Sequence, residues 1–437
     1  MFVGIDDTDS AQALCTTYLL TEIIRELKDF DVIGYPKLVR LNPNIPWKTR
    51  GNAALAVRIG HGLGKPQRLG MIDGREVLSY SRFEDLTESE YSKAFEIVKA
   101  LVEKYAQVYD ENTNPGLVVS RKRPPRSLYW NAVRRVVRID EVKRILDDIN
   151  ADYLGYKNSR GIIGAASALS WIPRDITYEI IAYRSRDKWG TQRFVDRESV
   201  KEMDRKYPST FNNYDYEIDR PIIAPHSPCP ILFGIRGDNP FELEDAMNMI
   251  VSEEKDRWII YASNQGTDEH IERKKICELQ AYTSARVSGE VISKPMNIRG
   301  GHVIFSISDG RGRLECAAYE PTKSFREIVR KLRIGDKVEV MGGIREVPFT
   351  LNIEKMRIME LAEVMEKVAN PVCKRCGKRM HSIGTNAGFR CKRCGDRLAV
   401  EDAEYRKVER EVKVGWYEVP VSARRHLSKP LCRGLPK

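Results

Sequence analysis

Four cysteines in the C-terminal part of the chain have a spacing typical of a metal site. Two Cys-x₂-Cys pairs separated by 14 residues supply Cys373, Cys376, Cys391 and Cys394, and each pair is followed by a glycine that permits a tight turn. Four thiolates favour a tetrahedral Zn²⁺ ion, with an iron–sulfur cluster as the alternative. A closed tetrathiolate site has no open coordination position, so we expect the zinc to be structural. The other five cysteines are scattered, which argues against a disulfide framework.

Three carboxylates near the amino terminus could hold a divalent cation and a nucleotide. Asp6, Asp7 and Asp9 lie within four residues, directly after the apolar run Phe2–Ile5. Carboxylates this close repel one another, and Mg²⁺ would compensate them while keeping waters and substrate phosphates as ligands. Thr16 follows at a predicted helix start, where free backbone N–H groups favour phosphate. The pattern predicts an ATP·Mg²⁺ site that includes Thr16; the alternative is an acidic surface turn that caps a helix.

Other known classes of acidic or phosphate-binding site fit this loop poorly. An EF-hand needs Gly at its sixth loop position and Glu at its twelfth, and this loop has neither. The segment 7–11, DTDSA, departs from the Asp-x-Asp-x-Thr pattern of a phosphatase, and the sequence contains no Walker A motif.

Two further polar segments are candidate binding loops. In the segment 49–52, TRGN, the arginine offers a planar fork to phosphate and the glycine permits close approach of the backbone. The segment 263–270, SNQGTDEH, is a dense polar loop directly after an apolar strand, where binding residues often lie. An ordinary loop and a solvated turn are the respective alternatives.

Positive charge is concentrated in three stretches. The 437 residues carry 73 Lys and Arg against 62 Asp and Glu, a net charge of +11. Residues 373–398 hold eight basic side chains and one acid, residues 118–139 hold seven and none, and residues 419–437 hold five and none. These stretches favour a polyanionic partner, above all nucleic acid, with solvated surfaces as the alternative. The candidate RNA-binding residues are Arg121, Lys122, Arg123, Arg126, Arg375, Lys378, Lys392, Arg393, Arg424 and Arg425.

Length and composition predict a folded, multidomain protein. Hydrophobic residues make up 42% and charged residues 31%, which excludes a collagen-like or wholly disordered chain. The longest nearly uncharged apolar stretch, 162–172, is shorter than the ~18 residues of a membrane span. The amino terminus is acidic where a secretory signal would be basic and then apolar. We therefore expect a cytoplasmic protein without a membrane partner.

Periodicity predicts the elements that position these residues. Leu19, Leu20, Ile23, Ile24 and Leu27 form one apolar helical face, with Thr16 and Thr17 as capping types, so the amino terminus is expected to form a strand, an acidic loop and a helix. Helical and strand patterns alternate from 118 to 275 and predict an α+β domain. From 285 to 358, three short strands, a helix and two strands follow in the order of an OB-fold, a barrel often used for nucleic acid.

Taken in order, these residues resemble the archaeal tRNA 2-agmatinylcytidine synthetases that act on the minor isoleucine tRNA. The resemblance spans the whole chain, and its motifs are GIDDTDS at 4–10, CTTY at 15–18, PWKTRGN at 46–52 and NQGTDEH at 264–270. It implies a multidomain α+β fold: an N-terminal α/β kinase-like catalytic domain (1–117), a ferredoxin-like α+β domain (118–275), an OB-fold β-barrel (276–362), a zinc ribbon (370–400) and a basic C-terminal tail (401–437).

The resemblance also implies a reaction. ATP activates carbon 2 of the wobble cytidine, agmatine replaces the oxygen there, and AMP and phosphate are released, so that the CAU anticodon reads AUA. Asp6, Asp7 and Asp9 would act in catalysis, with Mg²⁺ held by Asp7 and Asp9, and Thr16 would match an autophosphorylated threonine. The implied ATP-binding residues are Lys48, Thr49, Arg50, Gly51 and Asn52. The chain departs from the expected pattern at Ala13, Leu14 and Ala53, which affects loop geometry more than chemistry.

The charge of agmatine indicates what its site must contain. Agmatine is a dication, so its pocket needs carboxylates, and the candidate substrate-binding residues are Asp238, Asn264, Gln265 and Asp268. The alternative function is nucleic-acid binding without catalysis, because the OB-fold and the ribbon alone would be enough for it. That alternative gives no reason for an acidic loop beside a phosphate-binding threonine. A small-molecule phosphohydrolase would leave the basic stretches unexplained.

Overall fold

The computed structural model describes residues 1–49 and 51–436. Among these residues, no helix is both long enough and apolar enough to span a membrane. The elements of residues 1–170 are β1 (Phe2–Asp6), α1 (Thr16–Glu26), β2 (Asp31–Ile33), β3 (Lys37–Arg40), β4 (Ala53–Leu63), β5 (Gln67–Ile72), β6 (Arg75–Tyr80), β7 (Arg82–Glu84), α2 (Glu88–Tyr105), β8 (Gly116–Ser120), α3 (Arg126–Arg134), α4 (Ile139–Asp148), β9 (Asp152–Gly155) and α5 (Gly161–Ser170).

The later elements continue the alternation of strands and helices. Between residues 177 and 263 they are β10 (Thr177–Tyr183), α6 (Arg197–Lys206), β11 (Thr210–Phe211), β12 (Tyr214–Asp215), β13 (Arg220–Pro221), β14 (Ile231–Gly237), α7 (Leu243–Met249) and β15 (Arg257–Ser263). Then follow β16 (Ile271–Arg273), β17 (Ser284–Val291), β18 (Met296–Ile298), β19 (His302–Ser308), β20 (Arg313–Ala318), α8 (Phe325–Arg330), β21 (Lys337–Ile344), β22 (Thr350–Glu360), β23 (Met365–Ala369), β24 (His381–Ser382), β25 (Phe389–Arg390), β26 (Arg397–Leu398), β27 (Glu404–Lys407) and β28 (Gly415–Glu418).

The amino terminus has the predicted strand, loop and helix. β1 is an interior strand of a mixed sheet, paired antiparallel with β4 and β8, and its Val3 and Ile5 are fully buried. The apolar face of α1 packs on the same core through Leu19, Leu20 and Ile23. The predicted capping role of the threonines is wrong: Thr16 is the first residue of the helix, and Cys15 is its N-cap, without a side-chain cap bond. The acidic loop therefore runs from the end of this interior strand directly to the start of α1, where no side chain caps the helix.

One close backbone approach fixes helix α5 against the sheet. A β-carbon on Gly116 of β8 would lie 2.0 Å from the carbonyl carbon of Gly161 at the start of α5. No side chain fits in that space, so the two glycines allow α5 to lie directly against β8. Arg160 stands immediately before this helix, and the packing therefore sets the position of its side chain.

Gly116→Ala is expected to destabilise the protein by about 3 kcal/mol, because the added methyl group meets backbone atoms that have no rotamer freedom. The midpoint of thermal unfolding measures this. Gly74→Asn is the matched control: Gly74 has a φ of +73° and no atom within 4 Å of a β-carbon, and asparagine tolerates the left-handed region. An equal loss of stability in both variants would contradict the packing argument.

The sheet continues from the N-terminal region into the α+β region. β10 pairs antiparallel with β14 and β15, and β15 in turn pairs with β5 and, in parallel, with β3. Within the described residues this makes one 13-stranded sheet. The domain boundary predicted between residues 117 and 118 falls inside β8, which pairs along its whole length with β1. The two regions therefore share a backbone hydrogen-bond network, and a cavity lies between them.

The predicted barrel is present between residues 284 and 360. β17, β19, β20, β21 and β22 pair around a separate apolar core, with α8 between β20 and β21 in the chain, which confirms the predicted order of an OB-fold. β28 adds a further strand to β22. The predicted C-terminal tail therefore includes ordered elements, since β27 also pairs with β23.

Candidate catalytic pocket and zinc ribbon

A cavity of about 320 Å³ lies where the acidic loop, the start of α1 and the β3–β4 loop meet strands β10 and β14. Two of the predicted segments, far apart in the sequence, are thus brought together. The predicted residues that line the cavity are Asp6, Asp7, Asp9, Thr16, Lys48, Thr49, Gly51 and Asn52. Arg50, also predicted to bind ATP, lies outside the described residues.

Asp7 connects the acidic loop to the other walls of the cavity. Its backbone has a φ of +54°, and its Oδ1 accepts a hydrogen bond of 2.6 Å from the Thr49 hydroxyl. Its Oδ2 accepts from the Asn114 backbone N–H and from the guanidinium of Arg160, at 3.1 and 2.9 Å. Arg160 is a residue that the sequence analysis missed. Oδ1 accepts one of these bonds and keeps a lone-pair site, so Asp7 has capacity to ligate a cation through this oxygen.

The three acids do not share one environment. Burial and then repulsion from Asp7 raise the pKa of Asp6 well above its ordinary value of 3.8, which favours a neutral Asp6. Among the described residues, the acids do not converge into a three-carboxylate cage. A site built on two carboxylates plus phosphate oxygens and waters suits Mg²⁺, which rarely occupies an all-protein cage.

Thr16 is placed to contact a phosphate. Its hydroxyl lies 3.5 Å from the Oδ1 of Asp9, to which it donates, and accepts a hydrogen bond of 3.1 Å from the Thr8 hydroxyl. Cys15, Thr16 and Thr17 all line the cavity. The first backbone N–H groups of a helix have no acceptor within the helix, so this corner offers donors to an anion beside two carboxylates that attract a cation.

One wall of the cavity is basic. Arg40, Lys48, Arg236 and His426 line it together with one acid, Glu179. Burial lowers the pKa of Arg40 to about 10, and burial followed by repulsion from Arg425 lowers the pKa of Lys48 to about 8. Of these five residues the sequence analysis identified only Lys48. The others come from separate parts of the chain and have no local motif that marks them.

The four candidate agmatine-binding residues do not line the cavity. Asn264 is buried and accepts a hydrogen bond of 2.7 Å from the Arg40 backbone N–H. Gln265 donates to Glu179 at 2.5 Å and accepts from Arg40 at 3.3 Å, so both amides support cavity residues from behind.

The two carboxylates of that prediction are engaged elsewhere. Asp238 pairs with Arg433 at 2.6 Å and Asp268 with Lys355 at 2.5 Å. Their charges are therefore neutralised by cations of the chain itself. Glu179, which the sequence analysis did not select, is the carboxylate that lines the cavity away from the acidic loop.

The predicted RNA-binding residues separate into exposed and internally bound groups. Arg121 pairs with Glu88 at 2.8 Å, Arg424 is buried and pairs with Glu418 at 2.8 Å, and Arg425 donates to Asn44 at 2.6 Å. The structure therefore does not support Arg424 and Arg425 as free surface cations. The exposed members are Arg121, which is ion-paired, and Lys122, Arg123, Arg126, Arg375, Lys378, Lys392 and Arg393.

An exposed cationic surface surrounds Trp130 of α3. Three guanidinium groups lie over its ring, those of Arg134 and Arg174 at 4.4 and 4.3 Å and that of Arg126 at 5.9 Å from the centroid. Arg126 belongs to the predicted RNA-binding set. Arg134 also pairs with Glu272 at 3.1 Å, so the positive charge of this face is partly compensated.

The four cysteines form a site that fits zinc. The Sγ atoms of Cys373, Cys376, Cys391 and Cys394 all lie within 4.8 Å of one another, as Zn–S bonds of about 2.3 Å in a tetrahedron require. Hydrogen bonds from the backbone N–H groups of Cys394 and Arg393 lower the pKa of Cys391 to about 7, while burial raises the pKa of Cys373 above its ordinary value. The small core around them is made by Met380, Phe389 and Ala403.

Comparison with known domain families covers almost the whole chain. Residues 2–158 match the TiaS TCKD domain and residues 159–270 the TiaS FLD domain. Residues 285–359 match an OB-fold nucleic acid binding domain and residues 370–412 the TiaS C-terminal zinc ribbon domain.

Full-length relatives are similar over the same extent. The isoleucine tRNA 2-agmatinylcytidine synthetase TiaS of Methanocaldococcus jannaschii is 40% identical, over 99% of this chain and 98% of that protein. The crystal structure of a complex of TiaS with its isoleucine tRNA and ATP has a TM-score of 0.85 at 39% identity, covering 100% of this chain and 98% of that one. That of TiaS with the same tRNA, AMPCPP and agmatine has a TM-score of 0.81 at 36% identity, covering 99% and 96%.

Proposed function

The chain belongs to the TiaS family of isoleucine tRNA 2-agmatinylcytidine synthetases, and we infer that the cavity between the acidic loop and strands β10 and β14 is where it carries out the family's reaction. It is an ATP-dependent enzyme that ligates agmatine to the wobble cytidine of the minor isoleucine tRNA. The observation that carries the site assignment is the meeting of Asp7, Asp9, Thr16 and Lys48 in one cavity. A polyanion-binding protein without catalysis would have no need for two carboxylates beside a helix start.

The chemistry explains why ATP is consumed. The oxygen on carbon 2 of cytosine is a poor leaving group, and transfer of a phosphoryl group to it creates a good one. The amine nitrogen of agmatine then forms a bond to carbon 2 and loses a proton as the C–O bond breaks, and the oxygen leaves as phosphate. This transfer alone converts ATP to ADP, so release of AMP requires transfer of the second phosphoryl group to water as phosphate. The net change to the base is the gain of agmatine and the loss of water. Phosphoryl transfer depends mainly on positioning and on stabilisation of charge.

The carboxylates and the cations of the cavity would have different roles in this reaction. Asp7 and Asp9 would hold Mg²⁺, which neutralises phosphate charge when bound. The open start of α1 would receive phosphate oxygens, and Arg160 would fix the Asp7 carboxylate. Lys48 and Arg40 supply positive charge on the facing wall. These roles make the N-terminal domain kinase-like in its chemistry, although it has no Walker A motif.

Thr16→Val is expected to lower the rate of agmatine incorporation by about 10²–10³-fold, the usual effect of losing one group that positions or stabilises a transferring centre. Valine keeps the shape and removes the hydroxyl, so the fold should be unchanged. Thr16→Ser restores the hydroxyl and should recover most of the rate. The initial rate with a saturating transcript of the minor isoleucine tRNA measures this, and near-normal activity of the valine variant would exclude a catalytic role for the hydroxyl.

Mass analysis of nucleosides tests the function itself. A transcript of the minor isoleucine tRNA is incubated with the protein, ATP and agmatine, digested and compared with reactions lacking ATP or lacking agmatine. We expect a nucleoside with the mass of cytidine plus agmatine minus water only in the complete reaction. Its absence, together with no ATP turnover in the presence of tRNA, would favour a non-catalytic nucleic-acid-binding protein.

The remaining domains are proposed to hold the tRNA. A folded tRNA is large, and widely separated contacts are needed to orient its anticodon in the cavity. The exposed cations of the ribbon (Arg375, Lys378, Lys392 and Arg393), the exposed stretch Lys122–Arg126 and the OB-fold are suited to phosphate contacts at separate points. Such contacts position the substrate without reading its sequence.

A further inference from the structure

The C-terminal residues, predicted as a basic tail, return to the catalytic cavity. After β28 the segment Arg424–Arg433, which we call the strap, passes along the loop after β15. The Gly266 backbone N–H donates to the His426 carbonyl at 2.7 Å, and the Asp268 backbone N–H donates to the Leu427 carbonyl at 2.9 Å. Leu427 is 1% exposed and belongs to the core formed by β3, β4, α3 and α5. The strap is therefore part of the folded structure.

Charged anchors tie the strap to three regions of the molecule. Lys429 donates to Asp175 at 3.0 Å, and Arg433 pairs with Asp175 at 3.0 Å and with Asp238. On the barrel side, Lys355 donates to the Lys429 carbonyl at 2.8 Å. The Arg433 side chain is only 6% exposed, while its partners Asp175 and Asp238 are 33% and 45% exposed, so the cation that ends the strap is packed into the structure and its acids stand at the surface.

The anchored strap delivers one side chain to the cavity. His426 lines it, and it faces Arg40 of β3, Lys48 of the β3–β4 loop and Arg236 of β14, with Glu179 of β10 in the same wall. The His426 side chain is exposed at the cavity, and repulsion from Arg40 is the main cause that lowers the pKa of His426 well below 6.5. These cations favour the neutral imidazole, and an anion bound among them would favour its protonated form.

We propose that the strap carries His426 into the catalytic cavity so that its imidazole, together with Arg40 and Lys48, binds a phosphoryl group. This inference rests on the proposed function, because it places the group in the same cavity. The phosphate belongs either to ATP or to the tRNA backbone beside the wobble cytidine. Binding is accompanied by uptake of a proton onto the imidazole, which leaves it a donor from both ring nitrogens.

Calorimetric titration of the full-length protein near pH 7, in two buffers of different ionisation enthalpy, tests the proposal. One arm adds ATP with Mg²⁺ and no tRNA, and the other adds a transcript of the minor isoleucine tRNA without ATP. We expect proton uptake in one arm, and that arm identifies the source of the phosphate. His426→Gln, whose side chain cannot take up a proton, should abolish this proton uptake. It should also lower the affinity for the same ligand about tenfold, equivalent to ~1.4 kcal/mol. If His426→Gln has the same affinity and the same proton uptake as the wild-type protein in both arms, the proposal is overturned.

A second variant tests the strap separately from the imidazole. Arg433→Gln removes the ion pairs with Asp175 and Asp238 but keeps His426. It should lower the affinity for the ligand that His426→Gln also binds more weakly. Lys413→Gln removes an exposed cation of the same C-terminal region and is the matched control, expected to bind as wild type does. If the Arg433 and Lys413 variants bind this ligand with equal affinity, an anchoring role of Arg433 is excluded. Both results are read from binding, so they remain distinct from a failure to form 2-agmatinylcytidine.

Discussion

Asp7→Asn is expected to lower formation of 2-agmatinylcytidine by about 10³-fold, the upper end of the cost of losing one preorganised electrostatic contact, while tRNA affinity stays unchanged. Asparagine has the size of aspartate and tolerates the φ of +54° at this position, so the loop should keep its shape. The variant loses the negative charge that would ligate Mg²⁺ and that pairs with Arg160. Rates at saturating tRNA and a separate tRNA binding isotherm measure the two effects.

Asp73→Asn is the matched control for this experiment. Asp73 also has a positive φ, of +51°, but it lies in an exposed turn away from the cavity, and its ion pairs are half-exposed and contribute little. The control should have wild-type activity. Loss of tRNA affinity in Asp7→Asn, with normal turnover of each bound complex, would contradict the assignment of Asp7 to catalysis.

Cys376→Ser is expected to release the zinc ion and weaken binding of the minor isoleucine tRNA by about tenfold or more, with a smaller dependence of affinity on salt. The ribbon core is too small to fold without its metal, so loss of one ligand should disorder the exposed cations Arg375, Lys378, Lys392 and Arg393. Within the described residues, β24, β25 and β26 pair only with one another. The affinity for ATP should therefore be unaffected.

Zinc content per chain and tRNA binding at several salt concentrations measure these effects. Cys277→Ser, at an exposed cysteine outside the ribbon, is the control and should retain zinc and affinity. Retained zinc in Cys376→Ser would contradict the ligand assignment. Loss of zinc with unchanged tRNA affinity would limit the ribbon to a structural role.

The elements that could be predicted from the sequence are those with local signals. The apolar face from Leu19 to Leu27 indicated α1, and alternation and order indicated the OB-fold. Cysteine spacing alone identified the four thiols that the structure brings together. In each case the residues that decide the structure lie within one element or between neighbouring elements, where periodicity and spacing are informative.

The residues that were missed depend on long-range contacts. Arg160 contacts Asp7 across 153 residues, and it stands in the sequence only as a cation before an apolar helix. Its position follows from the Gly116–Gly161 approach, which no local pattern reveals. The same holds for Glu179, which reaches the cavity because β10 joins the sheet through β15.

The C-terminal segment shows how composition alone misleads. Arg424 and Arg425 stand in a stretch without acids, which favoured an RNA-binding tail. In the fold their partners, Glu418 and Glu354, come from β28 and β22. The local net charge of this stretch is therefore real, but it does not indicate a free cationic surface, because the compensating acids lie on other elements.

Crystals soaked with ATP and Mn²⁺ would test the central claim most directly, since manganese replaces Mg²⁺ and is located by its anomalous scattering. The account predicts an anomalous peak ligated by Asp7, Asp9 and phosphate oxygens, with the terminal phosphate near the Thr16 hydroxyl. A well-ordered nucleotide bound elsewhere, with neither metal nor phosphate at the acidic loop, would contradict it.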